Sequence, residues 1–547
     1  MQEVIKSMRS NASGLLAKNA RWRNQAEQIV NYYEFYDGTP DDFKDVDGSV
    51  DYGQLWRVPD NLDYKPTREI RNHTKKLIDK QSRFMFSVPP TIIFKPLDKT
   101  QEDSADMKKA VIERLFEETN FWGITKKAFL DCTIGKKVLL AALINRDEPI
   151  RFRYYNATEF SYTVNPHNCE ELESVTICYK DDCSKGISPT DERWHRWLYR
   201  MQNGSCYCTY DIVNGQGEVV VMEVPILDEQ GNETGQVEEI DCHEEFNTGF
   251  PEIPCRVIVN GGITGDRDGT SDVKELIDLA NSYNHTLSDY RDALRFKMFE
   301  QPVFIDADSD ALTNIKIAPN AIIDLKTDPT LGDGTGSGRS AQATTLSSSF
   351  NFQSPADAFL DRLKRDMYEL MDQPLPEQIM AAPSGKALGY MFFDLRGRCE
   401  DKWSEWEPAI KWVIHIIEIA SMSMDIYPEM NAKTHLATIT VTTLEHNYPI
   451  PQDVEDTKGI AIQEVANNVL SHKSYIRKYG DSDEDKEWEE IMAEQDELNS
   501  SSNAGVMETT FGGEDGAMET GLEDPNLEEL DEGEEGNGGE GNGEETE

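Results

Sequence analysis

Positive charge is what this chain is short of. Its 547 residues carry 54 Lys and Arg against 102 Asp and Glu, a formal net charge of −48. That balance excludes an overall basic footprint for gripping nucleic acid. It leaves open a nucleic acid that passes without being held, because a pore in which a polyanion slides is better served by weak or repulsive walls. The deficit is uneven: residues 481–547 hold 26 acids and a single base, Lys486. From about Asn499 the chain is Gly/Glu/Asn-rich and almost free of apolar residues, which predicts disorder and a solubilising role.

Long hydrophobic runs are also missing. No stretch approaches the roughly 18 apolar residues of a membrane span; the best candidate, Trp412 to Met422, is broken by His415 and Glu418. The N-terminus, MQEVIKSMRSNASGLL, lacks an apolar signal region. The expectation is a soluble protein, cytoplasmic when made, with no membrane partner.

Paired cysteine motifs are absent. Of nine cysteines, seven fall between Cys169 and Cys255, at irregular spacings and without a CxxC pair. Reduced, buried or half-buried thiols are the expectation. Zinc with His167, His195 or His243 is the alternative. On an alternating strand, Cys206 and Cys208 point to one face.

Enzyme signatures are equally lacking: no Ser-His-Asp, HExxH or paired-carboxylate pattern stands out. The loop GDGTGSGRS (332–340) invites a phosphate-loop reading, but Asp333 and Arg339 stand where a Walker motif needs Gly and Lys. A mobile loop is the better reading. Asp266, Asp268 and Asp272 miss calcium-loop spacing and lack its final glutamate. A solvated turn capping a helix explains them better. His415 and Glu418 read as a satisfied interface pair. No cofactor, metal or catalytic residue is expected.

What the chain does contain is a clear order of periodic segments. Residues 3–36 read as one helix ending at a Gly-Thr-Pro break. A second helix follows Pro66, with Ile70, Thr74, Leu77 and Gln81 on one face. Two more cover about 103–119 and 122–134. From Lys137 to Asn260 the period becomes two, in short β-branched and aromatic runs separated by turns. A long helix from about Asp272 to Glu300 follows, with Asp272 and Glu275 as capping pair and a seam of Leu276, Leu279, Tyr283, Leu287, Tyr290 and Leu294. After a small β-containing insert (303–351), Ser354, Pro355 and Asp357 start a helix that should bury Phe359, Leu360, Leu363, Met367 and Leu370. Another long helix, about Lys386 to Met424, carries Leu388, Phe392, Leu395, Cys399, Trp403, Trp406, Ile410, Val413, Ile417 and Ala420 at steps of three and four, with Pro408 expected to kink it. A strand (436–444) and helices over 452–498, broken at Tyr479-Gly480-Asp481, complete the order. The fold class is α+β.

Four segments resemble the portal proteins of tailed bacteriophages, in particular the group from phages of Gram-positive bacteria. These are NYYEFYDG; SDVKELIDLANSYNHTLSDYRDAL with QPVFI; PSGKALGYMFFDLRGRCEDKWSEWEPAI; and TVTTLEHNYPIPQDVEDTKGIAIQEVANNVLSHKSYIRKYGDSDEDKEWEEI. The resemblance implies a portal-type fold with a β-rich wing, two-helix stem, small clip, long kinked helix and helical crown. It divides the chain into N-terminal helices and wing (1–269), first stem helix (270–302), clip (303–351), second stem helix (352–373), tunnel loop (374–387), long helix and wing strand (388–446), crown (447–498) and acidic tail (499–547). It further implies a homo-oligomeric ring, usually of twelve subunits, at one capsid vertex of the virion, without catalysis. Its partners would be double-stranded DNA in transit, terminase, a head–tail connector or adaptor, and the major capsid and scaffold proteins. Pro383, Ser384, Gly385 and Lys386 would form the DNA-facing channel loop. A minor head or baseplate component is the alternative. The cysteine-rich wing departs from the family pattern.

Overall fold

The computed structural model describes residues 1–39, 52–57, 64–144, 149–168, 171–181, 192–227, 233–263, 265–298, 301–306, 342–346, 353–380, 385–424, 426–450, 454–467, 469–480 and 486–494. It divides into two compact units, Met1–Asp453 and Val454–Glu547.

The expected first helix is two. Helix α1 (Gln2–Ser13) stops before Gly14, a 3-10 turn covers Leu15–Lys18, and α2 (Ala20–Asp37) restarts. Two residues cause the break. The Asn19 side chain accepts hydrogen bonds from Arg21 N (3.0 Å) and Trp22 N (3.4 Å), satisfying free amides of a new helix. Gly14 lies so close to Trp194 that a Cβ would sit 2.8 Å from the indole ring. The turn lets Leu15 and Leu16 pack with Cys178, Trp194 and Val213 in a satellite cluster.

Helix α3 (His73–Phe86) begins well after Pro66 rather than beside it. Asn72 caps it, accepting from Lys75 N at 2.9 Å. Ile70 is therefore outside the helix, while Thr74, Leu77 and Gln81 are buried as their spacing requires. Helices α4 (Glu102–Glu118) and α5 (Phe121–Gly135) match their sequence reading closely. Strand β1 (Thr91–Pro96) precedes them.

The period-two region forms strands β2 (Lys137–Leu143), β3 (Arg151–Asn156), β4 (Phe160–Val164), β5 (Leu172–Lys180), β6 (Trp194–Gln202), β7 (Ser205–Val213), β8 (Val221–Leu227), β9 (Glu233–Asp241), β10 (His243–Asn247) and β11 (Cys255–Val259). They make an antiparallel five-stranded sheet, order β10-β7-β6-β5-β4, a three-stranded sheet, β11-β2-β3, and a β8-β9 pair. Strand β2 is buried almost throughout (its Val138 to Ala142), because it lies between β3 and β11 and helix α5 packs on it.

Helix α6 (Asp272–Met298) leads to the antiparallel pair β12 (Gln301–Ile305) and β13 (Gln342–Leu346), then helix α7 (Gln353–Leu370) packs back on α6. The second expected strand of the insert and the Gly loop lie outside the described residues. On α7, Leu360, Leu363, Met367 and Tyr368 are buried, whereas Phe359 and Leu370 are exposed at 45% and 40%. The seam is narrower than expected because α7 contacts the body along one stripe.

Short helices α8 (Pro376–Met380) and α9 (Gly385–Met391) precede α10 (Phe393–Ser423). The expected single rod thus steps once, at Phe392 (φ −92°, ψ 5°), and continues through Pro408 as α-helix. Every seam residue from Leu395 to Ala420 is buried. Trp403 and Trp406 meet Phe86, and Trp406 also meets Phe129, in an aromatic centre where α3, α5 and α10 join. The following strand is shorter than expected. Residues Ala432–Leu436 are helical (α11), and β14 (Thr440–Glu445) pairs with β1.

In the second unit, α13 (His472–Tyr479) ends at the break that the sequence marks, with Gly480 closing it, whereas α12 (Val454–Ala466) stops at a point the sequence reading did not mark. Ser471 caps α13, accepting from Ser474 N at 3.2 Å. Among the described residues no helix is long and apolar enough to cross a membrane.

Candidate functional site

Among the described residues, the start of α6 joins a large number of polar partners. The helix is capped by Ser271, whose Oγ accepts from Val273 N (3.2 Å) and donates to Ile134 O (2.7 Å). The expected capping pair is not formed. Asp272 is instead turned inward, 3% exposed, and Glu275 reaches Arg398. Lys402 of α10 donates to Asp272 Oδ1 (3.0 Å) and Asn260 Oδ1 (2.7 Å). Asn260 and Gln81 each donate to Asp272 at 3.0 Å. Arg398, one turn before Lys402, reaches Asp272 (3.6 Å), Glu275 (3.0 Å) and Asp372 (3.3 Å), and donates to Leu370 O (3.2 Å). Burial alone would raise the Asp272 pKa; Lys402, Arg398 and Asn260 outweigh it and hold the carboxyl below its ordinary value. One carboxylate thus ties α3, the residue after β11, α6 and α10 together, and Arg398 adds the end of α7.

Further along α6 a second polar series is buried. Asn284, Ser288 and Asp292, at i, i+4 and i+8, accept from Arg71 N (3.0 Å), Glu69 N (2.9 Å) and Thr67 N (2.8 Å). Four helical residues rise about 6.0 Å and two extended residues span about 6.6 Å, so the repeats match. This explains why residues 64–72 run extended instead of joining α3. The flanking positions in the series, Ala280 and Phe296, cannot accept, so only one register satisfies all three amides.

The sequence candidates fare differently. Asp268 is an ion-pair centre, bonded to Lys137 (3.1 Å), Arg21 (3.2 Å) and Gln25 (2.6 Å), and does not meet Asp272. His415 and Glu418 do not form a pair. Glu418 takes the buried Lys108 (2.7 Å), and His415 lies 3.8 Å from Glu252. Cys206 and Cys208 share a buried face, as alternation required. Burial pushes the Cys178, Cys208 and Cys399 thiols up to about 12, far from the thiolate form. His195 bonds Tyr210 (2.7 Å) and His243 bonds Asp211 (2.5 Å), while His167 is exposed. Among the described residues no group of His, Cys, Asp or Glu converges to hold a metal; Cys169 and Cys183 lie outside them. Of the channel-loop residues, Gly385 and Lys386 open α9, and Pro383 and Ser384 lie outside the described residues. Lys386 has an interaction partner within the chain.

These features make a mechanical scaffold. Long helices are anchored by buried charge and backbone-capping side chains. A family model described as phage portal protein, SPP1 Gp6-like, matches residues 15–501. The chain belongs to that family. No curated protein matches it. Portal proteins are structural components of the virion, forming the oligomeric ring at the portal vertex through which DNA is packaged, with capsid and terminase as general partners. The family match extends over most of this chain, and nothing favours the minor-head or baseplate alternative. The sequence signals that could have found the Asp272 centre were Lys402 and Arg398. Both are basic residues adjoining the apolar seam of α10, where a cation needs a buried partner.

Proposed function

We propose that this portal protein forms a ring of twelve subunits whose channel is lined, at its narrowest, by residues 374–387. In this reading 1–269 holds the N-terminal helices and wing, α6 and α7 are the stem, and 303–351 between them is the clip that meets terminase and later the connector. Residues 388–446 then supply the long helix and wing strand, 447–498 the crown, and 499–547 an acidic tail. The ring is built in the host cytoplasm, nucleates head assembly with scaffold and major capsid protein, and works without catalysis. The supporting observation is the arrangement within the family-matched span: two helices packed together, a strand pair between their ends, then a small-residue segment feeding a buried long helix. Pro383, Ser384, Gly385 and Lys386 are the DNA-facing residues of that segment. An acidic chain suits a wall that must not retain DNA, and Lys386 supplies the loop's one cation.

The test is genetic and structural together. Lys386→Ala, and separately a shortened 378–385, should lower packaged DNA per head several-fold, while purified protein still forms rings by electron microscopy. Normal packaging by both variants would remove the channel-loop assignment.

A further inference from the structure

Residues 64–86 run against the charge of the rest of the chain, with seven Lys or Arg and two acids. Part of this excess faces α7. His73, Lys76 and Lys80 lie at steps of three and four, on one face of α3. The Lys76 and Lys80 ammonium groups each stand 5.8 Å from the ring centre of Tyr368. Lys364, one turn before Tyr368, completes the group. The cations are under-compensated. Glu377 pairs with Lys364 at 2.9 Å, and Asp79 is engaged by Tyr36 and Arg83. Among the described residues Lys76 and Lys80 form no ion pair, although the Glu377 carboxyl, held low by Lys364, is lowered by Lys76 as well; Lys80 donates only to Pro374 O, at 3.3 Å. Two polar atoms at the same place, Tyr368 Oη and His73 Nε2, are buried without a hydrogen-bond partner. Burial, then Lys76, Lys364 and Arg71, lower the His73 pKa to about 4. Under-compensated cations beside unpartnered buried polar atoms describe a site for an oxyanion.

We propose that Lys76 and Lys80 of α3, with Lys364 and Tyr368 of α7, receive an Asp or Glu carboxylate from a second copy of this chain. The proposal rests on the ring reading above and names one contact of that ring. Three observations favour a neighbouring copy over DNA phosphate. Tyr368 is 1% exposed and Lys364 about a quarter exposed. Of the three lysines only Lys76 is exposed; one side-chain carboxylate can meet it at the mouth of the recess, whereas a duplex backbone needs several cations that stand proud. The next elements, α8, α9 and the start of α10, expose Met380, Tyr390 and Phe393 at 81%, 81% and 69%. Lys80 lies 5.7 Å from the Phe392 ring beside them. Apolar surface next to a charged recess suits a protein face. Finally, a copy of this chain offers 102 acids to find one recess, so its complementary partner is another copy of itself. A head-to-tail interface that closes by rotation presents a different face to each neighbour, as this requires.

Carbodiimide joins lysine amines directly to carboxylates in contact. Applied to rings assembled from isotopically light and heavy full-length chains, it should give light–heavy links at Lys76 or Lys80. Failure to find them while other intersubunit links form would overturn the proposal. The charge-reversed variant Lys76→Glu/Lys80→Glu should melt as wild type but form rings about tenfold less, as loss of a desolvated interfacial ion pair implies. Rings at wild-type yield from this variant refute the contact and leave the ring reading standing. Normal rings that retain less DNA would show the site to be a phosphate site and refute it as well. A wild-type chain that never assembles would refute the ring reading and the contact together.

Discussion

Lys402 shows how one side chain can hold elements distant in sequence. Its stem runs through the apolar interior of α10 and its ammonium ends between Asp272 and Asn260. A buried pair of this kind contributes less than its Coulomb energy, because both ions lost their water. Breaking it is costlier, because the survivor stays buried. Lys402→Met should therefore lower unfolding stability by about 3 kcal/mol, read as a drop in the urea midpoint. Adding Asp272→Asn should recover much of the loss, since the stranded charge is gone. Glu159 makes the opposite case. Burial pushes its carboxyl up to about 7, and burial likewise raises Asp131 to about 6 although Tyr33 bonds it. The folded state then holds a proton that the unfolded state releases near pH 4. The contribution of this protonated carboxyl falls as pH rises from there to about 7 and is gone above it. Glu159→Gln should match wild type near pH 4 and exceed it by on the order of 2 kcal/mol at pH 8, measured by denaturant titration at both pH values.

At the scale of elements, α6 was half legible. Its apolar seam predicted one buried face, and Val273, Leu276, Ala280 and Tyr283 do bury there or beside it. Asn284, Ser288 and Asp292 lie off that seam, and polar side chains at four-residue spacing are normally solvated. They are buried because an extended segment more than 200 residues away in sequence brings unpaired amides to them. No local pattern could announce that. Asp292→Ala should leave the Thr67 amide without an acceptor and cost about 1–3 kcal/mol locally. Hydrogen exchange would report it as faster exchange at Thr67 and Glu69 with the α10 core unchanged; uniform protection would refute the ladder as a clamp. The α1–α2 break belongs to the same class. Asn19 was a readable cap, but the close approach of Gly14 to Trp194 comes from a sheet strand far along the chain.

For the whole molecule, the order of segments was readable because each period repeats over many residues. Helical steps of three and four persist from Leu395 to Ala420, and alternation marks strands such as β3 and β7. These periods, the absence of apolar spans and the family segments determined the α+β class and the portal identity from sequence alone. The tertiary structure decided which polar residues do structural work. Asp272 and Glu275 looked like a cap, His415 and Glu418 like a pair, and Phe359 like core; packing assigned each a different role. The reason is physical. Apolar periodicity is a property of one segment against an unspecified interior. A buried charge or amide is satisfied only by a named partner, and that partner is set by how distant segments meet.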